Sequence, residues 1–304
     1  MSVTANRWWI YQRERFPLAA HVPLIAAFSF SAVSYSALLR GDEGGPALWS
    51  VGLAFVTSIV FFLMLRIADE FKDFEDDSRH RPYRPVPRGL IKLRELGWLG
   101  VGAAVVQLLA VLVFLPSLFA LLAITWIYLA GMSHEFFLRD WLKARPITYM
   151  WTHMLIMPLI DLTATASDWL SVQSAPPSGL VWFLLVSFCN GIVIEIGRKL
   201  RAPTDEEVGV ETYTVLWGRK RAPLIWLAAL GVTAFFALQA AHAIDYFMPI
   251  AAVLTLLLVL ASWRAWVFMR SPITANAKWF ERLAGIWTLA MYLSLGALPL
   301  LWKL

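Results

Sequence analysis

Long apolar stretches fill most of the chain and alternate with short polar connections. A helix needs about 20 mostly apolar residues to cross the hydrocarbon core of a bilayer. Nine stretches approach this length, at about residues 18–39, 47–68, 96–115, 117–137, 147–165, 179–197, 222–242, 246–268 and 283–302. The short alternating segments of membrane β-barrels do not occur in the sequence. The pattern therefore predicts an all-α, polytopic membrane protein with nine transmembrane helices, in a single domain over residues 1–304.

Composition excludes several other classes of protein. The chain has 304 residues, of which 59% are hydrophobic and 15% are charged, whereas a soluble domain has about 45–50% apolar and about 25% charged residues. A soluble enzyme and a disordered regulator are therefore excluded. The single cysteine, Cys189, excludes an intrachain disulfide and a cysteine-based zinc site. The five histidines are scattered, which excludes a histidine-box metal oxygenase.

Lysine and arginine residues indicate how the chain is oriented in the membrane. All but two of the 26, Arg40 and Lys303, fall at the N-terminus or in alternate connections between the predicted spans. Cytoplasmic loops retain positive charge, so the N-terminus is predicted to be cytoplasmic and the C-terminus to lie on the opposite side. Topology and anionic lipid account for the net charge of +5, and no nucleic-acid partner is predicted.

Carboxylates crowd the connection that follows the second predicted span. On a continuing helix they share an arc of about 120°, and they are Asp69, Glu70, Asp73, Asp76 and Asp77. Like charges one turn apart repel each other, so this face gains no stability from them. One interpretation is a solvated helix end whose acids balance the nearby arginines. The other is a site for Mg²⁺, which takes oxygen ligands and retains waters and substrate phosphates.

A stiff basic loop follows this acidic cluster. Its three prolines and closing Gly89 end the helix, and its arginines include Arg84 and Arg88. The predicted topology alone explains cations here, yet arginine in place of lysine favours bidentate contacts with phosphate oxygens. Acids for Mg²⁺ beside arginines for oxyanions are what a diphosphate site requires.

A second charged cluster ends the sixth predicted span. Glu195, Arg198 and Lys199 fall on one face of the helix, where Glu195 and Lys199 also form an ordinary i,i+4 pair. Residues 204–207 have the form of a capping box at a helix N-terminus, and Asp205 would favour the dipole of that helix. The cluster therefore supports either a structural or a ligand-binding interpretation.

These motifs resemble those of the UbiA superfamily of intramembrane prenyltransferases, whose members have nine transmembrane helices around a central cavity. The first family motif, Asn-Asp-x-x-Asp-x-x-x-Asp followed by Arg-Pro-x-Pro-x-Gly, is matched by Asp69-Glu70-x-x-Asp73-x-x-x-Asp77 and Arg84-Pro85-Val86-Pro87-Arg88-Gly89. The second ends Asp-x-x-x-Gly-Val-x-Ser/Thr and is matched by Asp205-Glu-Glu-Val-Gly209-Val210-Glu-Thr212. The chain departs from the family at Asp69 and Glu70. The first acid of the second motif falls at Arg201, and Glu195 is its candidate replacement.

The resemblance implies a site for Mg²⁺ and an isoprenoid diphosphate at the cytoplasmic mouth of the bundle. The implied metal ligands are Asp69, Glu70, Asp73, Asp77, Glu195 and Asp205. The implied diphosphate contacts are Lys72, Arg84, Arg88, Lys143, Arg198 and Lys199. The implied catalytic residues are Asp73, Arg84, Arg198 and Lys199. Ring faces among the 16 Trp, 19 Phe and 8 Tyr would stabilise an allylic cation.

Several functions remain open from the sequence. The leading one is transfer of a prenyl group to an aromatic or other lipophilic acceptor. A terpene cyclase needs the same head-group site, so the sequence does not separate these two enzymes. Transfer of a phosphorylated sugar to a lipid phosphate is a further family variant. The non-enzymatic alternative is a transporter or a structural membrane protein, although the acids crowd the predicted cytoplasmic ends, whereas transporters carry ionisable groups near the bilayer midplane.

Overall fold

The computed structural model describes residues 3–41 and 45–303, in which all regular elements are helical. The first eight α-helices are α1 (Val3–Arg15), α2 (Leu18–Leu39), α3 (Leu48–Lys72), α4 (Phe74–His80), α5 (Leu93–Phe114), α6 (Phe119–Ser133), α7 (Arg139–Lys143) and α8 (Pro146–Met154). The others are α9 (Ile156–Trp169), α10 (Leu180–Arg198), α11 (Tyr213–Trp217), α12 (Arg221–His242), α13 (Phe247–Arg270), α14 (Thr274–Tyr292) and α15 (Leu298–Lys303). The predicted all-α fold is confirmed.

Eight helical segments within these residues are long and apolar enough to cross a membrane. They comprise α2, α3, α5, α6 with the 3₁₀ turn before it, α10, α12, α13, and α14 continued through a π-helical segment, Leu293–Ala297, into α15. Apolar side chains on their outer faces, such as Val106 and Leu109 of α5, are exposed as a bilayer environment requires. The chain is therefore an integral membrane protein.

The fifth predicted span is divided into two shorter helices. Residues 147–165 correspond to α8 and the first part of α9, and Leu155 separates the two. Pro158 lies in the first turn of α9 and has no N–H to donate to the carbonyl of Met154, so the α-helical bonding is interrupted here. Neither helix alone reaches the length of a bilayer span, and the predicted count of nine spanning helices is not confirmed.

Helix α10 lies at the centre of the bundle, where it packs against α8, α9, α12 and α14. On its other side α9 contacts α2 and α3. Helix α2 also meets the π-helical segment at very close range, because a Cβ at Gly296 would lie 2.1 Å from the backbone oxygen of Ser31. Glycine at position 296 therefore allows two spans to approach through their backbones.

Two acids are buried between the helices, away from the predicted motifs. Asp161 of α9 is fully buried and accepts a hydrogen bond of 2.7 Å from the hydroxyl of Tyr292. Asp168, two turns further on, accepts two hydrogen bonds from Arg40 at 2.8 and 2.9 Å. Both carboxylates thus have hydrogen-bond partners from another part of the bundle, as ionisable groups within a membrane require.

Helix α1 packs along the side of the bundle beside α3 and the start of α5. Arg7 pairs with Glu95 at 2.6 Å, and Arg15 pairs with the buried Glu70. Tyr11, between these two ion pairs, packs with Ile67 in a small apolar cluster. Two ion pairs and an apolar contact therefore fix α1 to the end of α3 that carries the first acidic motif.

Candidate functional site

The first acidic motif lies at the junction of α3 and α4, where the helix continues almost without a break. The amide of Asp73 donates to the carbonyl of Asp69, and the amide of Asp77 donates to that of Asp73, at 2.9 and 2.8 Å. Helical spacing therefore places Asp69, Asp73 and Asp77 along one face, as predicted. Asp76 is exposed at the edge of this group.

Asp73 is the half-buried centre of this face. Burial raises the pKa of the Asp73 carboxyl above its usual value, and the carboxylates of Asp69 and Asp77 raise it further. The charges of Lys72 and Arg84 act in the opposite direction. Within the described part of the chain, no hydrogen bond or ion pair holds the Asp73 side chain. Asp73 is thus a carboxylate in a crowded negative environment that a cation would relieve.

The basic loop folds back onto this motif through Arg84. Its guanidinium lies 2.5 Å from the buried Asp77 carboxylate, and Arg81 lies 3.6 Å from the same group. Arg88 behaves differently, because it pairs with Glu14 of α1 at 2.9 Å and donates to the carbonyl of Tyr83. The structure therefore brings Arg84 to the acidic face and places Arg88 beside α1.

Lys72 connects the first motif with α8. Its ammonium donates to the hydroxyl of Tyr149 at 2.8 Å and lies 3.9 Å from the Asp69 carboxylate. The ring of Tyr149 stacks on His153 at 3.9 Å. Because Asp69 and Lys72 also act electrostatically on the His153 ring, these four side chains form one polar group beneath the motif.

The second charged cluster approaches the same group from α10. Glu195 accepts from Arg198 and Lys199, both at 2.7 Å, and Lys199 lies 5.8 Å from the centre of the Tyr213 ring. The Asp69 carboxylate is within electrostatic reach of Arg198. The two motifs, more than a hundred residues apart in the sequence, therefore come within electrostatic reach of each other.

Direct contacts also join the two motif loops. Arg81 and Glu207 form an ion pair of 3.2 Å between them. Gly209 adopts a positive φ of 79°, and a Cβ there would lie 2.4 Å from the His80 ring. The loops after α4 and α10 therefore pack against each other at one end of the bundle.

Besides Arg88, the predicted site residues Glu70 and Lys143 lie at the edge of the site, whereas Asp205 adjoins the second motif. Glu70 is 2% exposed and faces α1, where Arg15 is its partner. Asp205 accepts a hydrogen bond of 2.8 Å from Thr274 and lines a cavity of about 380 Å³ together with Arg198 and Arg201. Lys143 pairs with the exposed Asp76 at 3.3 Å, at the periphery of the cluster.

The capping box predicted at residues 204–207 does not form. Pro203–Asp205 is a single 3₁₀ turn and no helix continues from it. Glu206 instead accepts hydrogen bonds from the hydroxyls of Thr212 and Thr214, at 2.7 and 2.8 Å. The segment therefore forms a loop, in which the Glu206 carboxylate bonds to nearby threonine hydroxyls instead of capping a helix.

Residues 3–41 and 45–303 contain no ready-made group of three or more histidine, cysteine or acidic side chains that would hold a metal ion. The carboxylates of Asp69, Asp77 and Glu195 are each paired with a cationic side chain. Mg²⁺ commonly binds through one or two carboxylates together with substrate phosphates. The donor set fits such an ion, and Asp73, whose side chain has no partner among the described residues, would be its central ligand.

Sequence reasoning missed a set of buried polar atoms below the two motifs. The Nε2 atom of His153 and both side-chain polar atoms of Asn190 are buried, and none of the described residues forms a hydrogen bond with them. Such atoms cost free energy unless a partner is supplied. The sequence did contain a signal for these residues. Tyr149 and His153 are four residues apart and so share one face of a helix, and Asn190 precedes Glu195 by five residues on the same helix.

Comparison with known proteins agrees with this geometry. The sequence model described as the UbiA prenyltransferase family matches residues 27–295. No curated protein sequence matches the chain at a significant level.

Two solved structures share the fold. A UbiA homologue from Aeropyrum pernix K1, solved in its apo form, is 11% identical, with a TM-score of 0.68, and the match covers 89% of this chain and 96% of that one. Digeranylgeranylglyceryl phosphate synthase is 14% identical, with a TM-score of 0.63, and the match covers 95% and 97% of the two chains. At these identities the likeness establishes the arrangement of helices and not the substrate.

Proposed function

Because the chain belongs to the UbiA prenyltransferase family, we propose that it is a Mg²⁺-dependent intramembrane enzyme that ionises an isoprenoid diphosphate. The prenyl group then passes to an aromatic or other lipophilic acceptor. The observation that carries this proposal is the convergence of two charged motifs on one polar end of the bundle. The Arg81–Glu207 ion pair of 3.2 Å joins the two motif loops directly.

The carboxylates that would hold Mg²⁺ are Asp69, Asp73 and Asp77, with Glu195 from the second motif. Bound Mg²⁺ would neutralise the charge that develops on the diphosphate as its bond to carbon breaks. Asp205 is a weaker candidate ligand, because Thr274 already donates to it. Glu70 is left outside the set, because Arg15 pairs with it on the α1 side.

The cationic side chains that would bind the diphosphate are Lys72, Arg84, Arg198 and Lys199. All four now neutralise acids of the same site, since Lys72 pairs with Asp69 and Arg84 with Asp77, while Arg198 and Lys199 pair with Glu195. When a diphosphate binds together with its divalent ion, the ion would pair with the carboxylates and the diphosphate would pair with the cationic side chains. The site thus exchanges internal ion pairs for substrate contacts without leaving a buried charge alone.

The buried polar atoms under the motifs would meet the acceptor. His153 and Asn190 offer a ring nitrogen and an amide that have no partner among the described residues. An oxygen-bearing acceptor placed against them would stand between the diphosphate head and the apolar interior. We therefore assign His153 and Asn190 as candidate positioning residues for the acceptor.

Turnover by the purified full chain tests this function. Labelled allylic diphosphates of increasing length are supplied with Mg²⁺, in nanodiscs, with and without phenolic acceptors. Diphosphate release that requires an acceptor supports transfer, whereas a cyclic hydrocarbon formed without one would assign a terpene cyclase to the same site. Absence of release from every substrate would overturn the enzymatic proposal.

Two matched variants locate the activity. Asp73→Asn removes the central carboxylate and is expected to lower kcat/KM by about 100-fold or more, as loss of a key electrostatic group does. Asp76→Asn changes an exposed acid three residues away and is expected to stay within about three-fold of wild type. Equal activity of Asp73→Asn and wild type would refute the assignment of the acidic face.

A further inference from the structure

A cavity of about 600 Å³ lies between α1, α3 and the start of α5, on the side of the bundle. Its walls include Trp8 from the middle of α1 and Phe16 just after its end. The other walls include Ile59 and Leu63 from α3 and Leu99 from α5. Apart from Gln12, the residues that line it are hydrophobic or aromatic. This volume is in the range of pockets that hold one small organic ligand.

The cavity is reached from the lipid-facing surface of the protein. Trp9, Leu18 and Leu99 line it and are also exposed on the outside of the molecule. Exposed tryptophan beside a basic helix is typical of the interface between lipid headgroups and acyl chains. A hydrocarbon chain from the bilayer would therefore enter this cavity directly.

Two buried donors, one that lines the cavity and one on α3 beyond its lining residues, have no acceptor among the described residues. Tyr11 lines the cavity and is 3% exposed, yet its hydroxyl has no hydrogen-bond partner among the described residues. The Nε atom of Arg66 is buried and likewise without a partner. Arg66 follows Ile59 by seven residues and Leu63 by three, so it shares their face of α3. Tyr11 packs in one apolar cluster with Ile67, the residue that follows Arg66 on α3, so the two donors are neighbours.

Local charge identifies the kind of oxygen that these donors suit. Arg66 is already balanced by Asp69 at 3.4 Å, and Arg15 is balanced by the buried Glu70. An anionic group bound here would be repelled by the Asp69 and Glu70 carboxylates. Both arginines among these four side chains are already paired, so neither would neutralise it. The donors therefore suit an uncharged acceptor, such as the carbonyl of an ester, and the apolar walls suit its hydrocarbon chain.

We propose that this cavity is a binding site for a neutral membrane lipid. Its chain packs between α1 and α3, and its ester carbonyl accepts hydrogen bonds from the Tyr11 hydroxyl and the Arg66 Nε. The site is separate from the proposed diphosphate site and does not depend on the proposed enzymatic function. Arg66 would connect the two sites, because its Nη1 atom pairs with Asp69 at 3.4 Å. The occupant would thus touch the first motif through one side chain.

Saturable photolabelling of the purified full chain tests the proposal. The probe is a monoacylglycerol whose acyl chain carries a diazirine, and labelled residues are mapped by mass spectrometry. Labels are expected on α1 and on the Ile59–Leu63 face of α3, with monoolein as an effective competitor. Non-saturable labelling, or labels that avoid these two helices, would overturn the proposal. If oleate competes more strongly than monoolein, the ligand is not neutral and that assignment is overturned. If octadecane competes as well as monoolein, the hydrogen-bond donors play no part in binding.

Matched variants separate the donor from general stability. Tyr11→Phe keeps the ring and is expected to raise the half-saturating probe concentration about five-fold, as loss of one hydrogen bond does. Tyr83→Phe removes a hydroxyl from an exposed loop residue and is expected to leave the half-saturating probe concentration unchanged. Unchanged labelling of a folded Tyr11→Phe protein would refute the proposal. Asp73→Asn is expected to label normally, so failure of the enzymatic proposal and failure of the lipid site give different results.

Discussion

The ammonium of Lys72 donates a hydrogen bond of 2.8 Å to the hydroxyl of Tyr149 and lies 5.4 Å from the centre of the same ring. Lys72 belongs to the first motif, whereas Tyr149 stands on α8, outside either motif. This contact sets the position of a cation next to Asp69. It also joins the proposed diphosphate contacts to the buried polar atoms below them.

Tyr149→Phe removes the acceptor of this bond and retains the ring. Hydrogen bonds to charged groups contribute about 1.5–3 kcal/mol, so we expect kcat/KM for the isoprenoid diphosphate to fall by about 10-fold or more. Steady-state diphosphate release measures this effect. Tyr83→Phe in the exposed loop serves as the control, and an unchanged kcat/KM in Tyr149→Phe would show that Lys72 needs no support from α8.

Arg15→Ala is expected to destabilise the protein strongly. Glu70 is 2% exposed, and removing one partner of a buried ion pair costs about 3–5 kcal/mol. Arg88→Ala breaks the exposed pair with Glu14 and is expected to cost about 1 kcal/mol or less. Thermal unfolding in a single detergent compares the two variants. Similar unfolding midpoints would mean that the Arg15–Glu70 contact contributes little.

Gly209→Ala is expected to disturb the contact between the two motif loops. Alanine at its φ of 79° is strained, at a cost of about 1–3 kcal/mol, and the new Cβ would also strike the His80 ring. Gly218 has a similar φ of 81° with nothing within 4 Å, so Gly218→Ala reports the backbone strain alone. Adding His80→Ala should recover part of the loss in Gly209→Ala and none in Gly218→Ala. The absence of such coupling in thermal unfolding would contradict the packing of His80 on Gly209.

Gly296→Ala is expected to be among the most damaging single substitutions. The added Cβ would meet backbone atoms of Ser31, which no rotamer change can move, and we expect a loss of at least about 3 kcal/mol. Gly285 lies on the same span with nothing within 4 Å, and Gly285→Ala is expected to be neutral or slightly stabilising. Yield of folded protein and its unfolding midpoint distinguish the two. Equal behaviour would mean that α2 and the last span separate readily.

Hydropathy predicted the apolar part of the spans well and their polar ends less well. The first span was placed at residues 18–39 and is observed as Leu18–Leu39. The last was predicted to begin at residue 283, whereas α14 begins at Thr274. The first turns of α14 carry Lys278 and Glu281, which line a polar cavity. Because these residues are charged, the hydropathy pattern placed the start of the helix too late.

Helical spacing predicted the shared face of Asp69, Asp73 and Asp77, because those contacts are local. Partners that are distant in sequence were out of its reach. Glu70 was placed with the metal ligands, yet its partner Arg15 lies 55 residues away on α1. His153 and Asn190 were missed for the same reason, because they stand on different helices, α8 and α10, that come together only in the folded protein.

The interruption at Leu155 uncouples the two ends of the fifth predicted span. Tyr149 and His153 stand before it, while Asp161 and Asp168 stand after it. A continuous rod would transmit any tilt at one end to the other. With the α-helical bonding interrupted between them, the two helices are held by separate contacts, since Tyr149 of α8 bonds to Lys72 and Asp168 of α9 bonds to Arg40. The polar group of the candidate site and the buried acids of the interior therefore stand on two different helices.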